Sequence, residues 1–85
     1  MKPALLLCGY GPGISHSVAR RFGREGYPLH LVARRQDKLD AAVAGLRQEG
    51  MVATAHVCDL GDSDALQNLL AGLAAECIGI LHWNA

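Results

Sequence analysis

This 85-residue sequence has no excess of either charge: eight Lys and Arg are offset by eight Asp and Glu. A nucleic-acid or acidic-membrane partner calls for a basic surface, and none is expected here. The Arg-Arg pairs at 20–21 and 34–35 stand alone. Long hydrophobic runs are absent too, and nothing approaches the roughly 20 apolar residues that span a bilayer. The leucines after Met1-Lys2-Pro3-Ala4 break at Gly9, short of the 7–15 residues of a signal-peptide core. Cysteine is scarce: Cys8, Cys58 and Cys77 form no CxxC pair and no even set. That excludes a disulfide framework and leaves small buried thiols as the ordinary expectation. Four histidines show no metal-ligand spacing. A cytoplasmic location follows from these absences.

What is present is a globular composition, half of it hydrophobic, arranged as a regular alternation. Ala4–Cys8 is a continuous apolar run suited to a strand buried on both faces. Ile14, Val18, Ala19 and Phe22 then recur at helical spacing over 13–25, with Gly26 as the stop. Leu29–Ala33 follows as a second strand. Leu39, Ala42, Val43 and Leu46 mark a helix over 37–49, which ends at Gly50. Met51–Cys58 is a third strand, rich in small and β-branched residues. Asp62 or Ser63 can cap a last helix whose inward stripe is Leu66, Leu69, Leu70 and Leu73. Gly79–Trp83 is a fourth strand. Strands alternating with helices predict right-handed βαβ units: half of a doubly wound parallel Rossmann sheet, with strand order 3-2-1-4.

Such a sheet leaves its fourth strand at an open edge and its faces only partly covered. A chain of this size buries only about 60–65% of its surface. We therefore expect residues 1–85 to be a partial domain, the N-terminal part of a longer protein. A monomeric, cooperatively unfolding 85-residue chain would count against that expectation.

The segment Cys8-Gly9-Tyr10-Gly11-Pro12-Gly13-Ile14-Ser15 joins the first strand to the first helix. A glycine turn there brings unpaired N–H groups and the positive end of a helix dipole against an anion, with no Cβ atoms in the way. A glycine turn alone is weak; its place inside a βαβ unit points to a phosphate-bearing cofactor. Gly9 makes the turn, Gly11 and Gly13 allow close approach, and Ser15 and the Ile14 backbone can donate. His16, one turn in, reads as an exposed helical residue. No Lys-Ser/Thr follows the glycines, which excludes a kinase-like nucleotide loop. The second strand ends Ala33-Arg34-Arg35, with no carboxylate before Asp37. Guanidinium groups pair with a ribose 2′-phosphate where a carboxylate would repel it, which favours NADP, with NAD possible.

Gly9-x-x-x-Gly13-Ile14, Leu31-Val32-Ala33-Arg34-Arg35, Cys58-Asp59-Leu60 and Trp83-Asn84-Ala85 stand in order along the whole chain. Together they resemble the short-chain dehydrogenase/reductase family. The resemblance implies that Gly9 and Gly13 cradle the cofactor pyrophosphate and that Asp59, with Leu60 beside it, contacts the adenine. Asn84 and Ala85 match a motif near the cofactor ribose. Cys8 stands where the family usually has Thr, and Ser15 replaces the third glycine. Pro12 falls where many NADP-preferring members carry Arg or Lys, and Trp83 replaces an Asn. The family's Ser and Tyr-x-x-x-Lys catalytic group lies beyond the fourth strand, so no residue here is named catalytic. The resemblance implies hydride transfer to or from a carbonyl or alcohol substrate, usually in a homo-oligomer. A non-catalytic NAD(P)-binding regulator or sensor of the same fold is the alternative.

Overall fold

The computed structural model describes residues 3–9, 14–73 and 78–83, with Ile14, Ser15 and residues 80–83 described as backbone only. The order is β1 (Ala4–Cys8), α1 (Ile14–Arg24), β2 (Leu29–Ala33), α2 (Gln36–Gln48), β3 (Ala53–Val57), α3 (Ser63–Gly72) and β4 (Ile78–Trp83). The four strands form one parallel sheet in the order β3-β2-β1-β4, the order expected from the alternation. Observed boundaries fall within a residue or two of the expected ones.

β1 is buried along its whole length, because it is central and covered on both faces. Its alternate side chains feed two separate cores. Leu5 and Leu7 join Leu29 and Leu31 beneath α1 and α2, which contribute Ala19, Leu39, Val43 and Leu46. Leu6 and Cys8 join Val32, Cys58 and Leu73 on the other face, where α3 adds the half-buried Leu66 and Leu69. Each fully buried leucine contributes about 1.5–3 kcal/mol of transfer free energy. Two expectations are corrected. Leu70 is 45% exposed, because α3 touches the sheet along a narrow seam and Leu70 stands on its flank. His16 is half-buried, not exposed, on α1.

The helix stops are built as the glycines imply. At the end of α2, Gly50 has φ 88°, its N–H donates to Arg47 O at 3.0 Å, and the Met51 N–H donates to Leu46 O at 3.1 Å. Gly26 ends α1 in the same way at φ 92°, with Tyr27 N–H reaching Phe22 O at 3.2 Å. These are Schellman closures, and each carries its apolar clasp. Met51 and Leu46 share one core, and Phe22 meets Tyr27 edge to face at 5.3 Å. Arg20 then ties the two helices together through Glu49 at 2.7 Å. At the start of α3, Asp62 is the cap: its Oδ1 accepts from Asp64 N–H at 3.1 Å and Ala65 N–H at 3.2 Å.

Candidate functional site

Strand register sets the site. Cys8 pairs with Val32 on one side and with Trp83 on the other, and Ala33 pairs with Val57. The C-terminal ends of all four strands therefore lie along one edge of the sheet. The strand order reverses at β1, with β2 on one side and β4 on the other, the switch point at which a crevice forms in open α/β sheets. Gly9 follows β1 directly. Its φ of 81° lies in the left-handed region that disfavours a side chain, and its N–H donates to Val32 O at 2.9 Å. The chain is thus turned off the sheet at this edge, and α1 starts five residues later. α1 has no acidic residue in its first turn, whereas α2 has Asp37 and α3 has Asp64. An anion at that helix start meets no carboxylate from the first turn.

Arg34 and Arg35 follow β2 on the same edge, and both are exposed. Arg35 caps α2 by position and sits 3.8 Å from Asp37. Arg34 makes no ion pair with a described residue. Asp59 follows Cys58 after β3; its Oδ1 accepts the Gly61 N–H at 2.9 Å and its carbonyl accepts the Asp62 N–H at 2.9 Å. Asp59 therefore shapes the β3–α3 loop while its exposed carboxylate stands at the strand-end edge. Leu60 packs partly against the α3-side core. Gly11, Gly13, Asn84 and Ala85 lie outside the described residues, as does Cys77, and Ile14 and Ser15 are placed only as the first residues of α1.

Cys8 and Cys58 are free and buried. Burial is the larger cause that pushes the Cys8 thiol up, with Cys58 adding to it. Cys58 is pushed up by burial first, then by the carboxylates of Asp62 and Asp59. Both stay thiols at neutral pH and are poor nucleophiles. Among the described residues, no three His, Cys, Asp or Glu side chains are gathered as a metal site would need, and no helix is long and apolar enough to cross a membrane. One polar pair escaped the sequence: His30 Nδ1 and His56 Nε2 share a hydrogen bond at 2.9 Å. Only the β2–β3 register, which sets Val32 against His56, brings the two rings together.

Strand order, glycine turn and helix start define a parallel α/β domain of the dinucleotide-binding type. The chain belongs to the short-chain dehydrogenase family, a family of oxidoreductases, whose model matches residues 3–85. The human dehydrogenase/reductase SDR family member 2, mitochondrial, is 31% identical over 75 residues, covering 88% of this chain and 27% of that protein. A short-chain dehydrogenase from Sphingobium yanoikuyae in complex with NADPH superimposes with a TM-score of 0.84 at 39% identity, covering 94% of this chain and 32% of that one. A metagenomic short-chain oxidoreductase in complex with NADP gives 0.81 at 32% identity, over 92% of this chain and 37% of that one. The chain spans about a quarter of the length of the curated relatives it matches.

Proposed function

We propose that residues 1–85 supply the adenosine- and pyrophosphate-binding part of an NADP-dependent short-chain oxidoreductase. The observation that carries this reading is the common edge on which Gly9, the α1 start and Arg34 stand, between strands whose ends are in register. The two relatives solved with NADP or NADPH support it. In this reading the Gly9–Gly13 turn, with Gly11, Ile14 and Ser15, holds the pyrophosphate against the α1 dipole. Arg34 takes the ribose 2′-phosphate, and Arg35 stays with Asp37 at the start of α2. Asp59 and Leu60 border the adenine, and Asn84 and Ala85 approach the ribose from β4. The bound dinucleotide supplies or accepts a hydride, and the protein orients it against a carbonyl or alcohol carbon. A cytoplasmic location goes with this reading, since buried free thiols suit a reducing compartment.

Titration with NADPH and NADH, followed by nucleotide fluorescence, tests the assignment. Arg34→Ala is expected to weaken NADPH binding at least tenfold and to leave NADH nearly unchanged, because only NADPH carries the 2′-phosphate. Arg35→Ala is expected to have the smaller effect. Equal affinity of the unsubstituted protein for both nucleotides, or no loss in Arg34→Ala, overturns the NADP assignment.

A further inference from the structure

β3 is the last strand on its side of the sheet among the described residues. The parallel ladder fixes which of its backbone groups face β2. Leu29 N–H donates to Val52 O at 2.8 Å, and Cys58 N–H donates to Ala33 O at 2.9 Å. By alternation, Thr54 and His56 turn both their N–H and C=O groups toward β2, and Ala53, Ala55 and Val57 turn theirs outward. One outward group is already engaged. Arg47, in the last turn of α2, reaches over and donates from Nε to Ala53 O at 2.8 Å.

A strand with open outward groups is a template for pairing, and proteins blunt such edges with Lys, Pro or a bulge. The sequence Ala53-Thr54-Ala55-His56-Val57 contains neither Lys nor Pro. Val52 and Val57, the two most exposed large hydrophobics among the described residues, stand at its two ends at 66% and 53%. The strand is also self-complementary. Two copies running antiparallel about Ala55 would join Ala55 to itself through two hydrogen bonds and set each Ala53 against the other copy's Val57. In that register the incoming Val57 N–H needs Ala53 O, the oxygen that Arg47 holds. The two-fold axis repeats the conflict, so both outer pairs are blocked at once.

We propose that Arg47 guards this edge: its guanidinium occupies the acceptor through which a second copy of the chain would add its β3. Arg47→Met removes the donors and keeps the apolar stem. Sedimentation velocity across a range of concentrations is expected to show the Arg47→Met protein doubling in mass relative to the unsubstituted protein. Hydrogen exchange should show the Ala55 amide becoming at least tenfold more protected as that association proceeds. Adding Val57→Lys should return both readouts to the starting behaviour. Unchanged mass and a concentration-independent Ala55 amide overturn the proposal. So does association that leaves Ala55 unprotected or survives Val57→Lys, because it then runs through another surface. The unsubstituted protein gives a check that does not depend on the variant folding: its Ala55 amide must exchange freely, and strong protection at low concentration overturns the proposal outright.

Discussion

The sulfur of Met51 lies 2.6 Å from where a Cβ on Gly23 would stand, with Met51 Cγ at 3.0 Å and Leu29 Cδ1 at 3.1 Å around the same point. α1 can lie this close to the β2–β3 side of the core only because position 23 has no side chain. Gly→Ala in a helix ordinarily stabilises by about 0.5–1 kcal/mol. Here Met51 and Leu29 are both buried, so the added methyl overpacks, at a cost of about 1–3 kcal/mol. Gly23→Ala is therefore expected to lower the urea midpoint. Gly45→Ala, where nothing lies within 4 Å of the new Cβ, should raise it. Midpoints that move in the same direction would remove the packing explanation.

α3 depends on its cap more than the other helices do, because none of its residues is fully buried. Asp62→Ala leaves the Asp64 and Ala65 N–H groups without their acceptor, and a loss of about 1 kcal/mol is expected. Asp62→Asn keeps an acceptor oxygen and should lose only a few tenths by the same reasoning. Equilibrium unfolding of the two variants checks the difference, and equal losses would mean that charge, not capping, is what Asp62 contributes.

The thiols of Cys8 and Cys58 give stability a dependence on alkaline pH. Their folded values are raised above the ordinary 9.0, so above that pH the unfolded chain gives up thiol protons that the folded chain still holds. Their contribution is complete below about pH 9 and is lost as pH climbs through the raised folded values. Unfolding free energies measured between pH 7 and 10.5 should fall at the alkaline end, and less steeply in Cys8→Ala. Asp62→Asn, by removing a neighbouring carboxylate, should make Cys58 the more acidic thiol and speed its reaction with a disulfide reagent. Parallel pH curves for Cys8→Ala and the unsubstituted protein would dismiss the thiol as the source.

The sheet order and helix stops are legible in the sequence because their signals are local. A run such as Ala4–Cys8 has no polar face to expose, and Gly26 and Gly50 sit where a left-handed residue must end a helix. Arg34 and Asp59 could be placed at the edge because a strand end is itself a sequence feature. Leu70 departs from its expected inward place because helical spacing gives the direction of a stripe but not the width of the surface that covers it. The His30–His56 bond, the Gly23–Met51 contact and the Arg47–Ala53 bond were beyond reach for a common reason. The first two join residues more than 25 positions apart, and all three depend on how one element is set against another.

The central position of β1 also makes its two pairings unequal in chain-closure cost. Leu5 is paired with Leu29, 24 positions along the chain, and with Ile80, 75 positions along it. Closing the longer loop costs about 1 kcal/mol more in chain entropy, since the penalty grows only with the logarithm of length. The difference is small but has a fixed sign. The β1–β2–β3 portion, with its two crossover helices, carries the smaller closure penalty, and β4 carries the larger. The edge where Cys8 pairs with Trp83 therefore closes the longest loop among the described strand pairings.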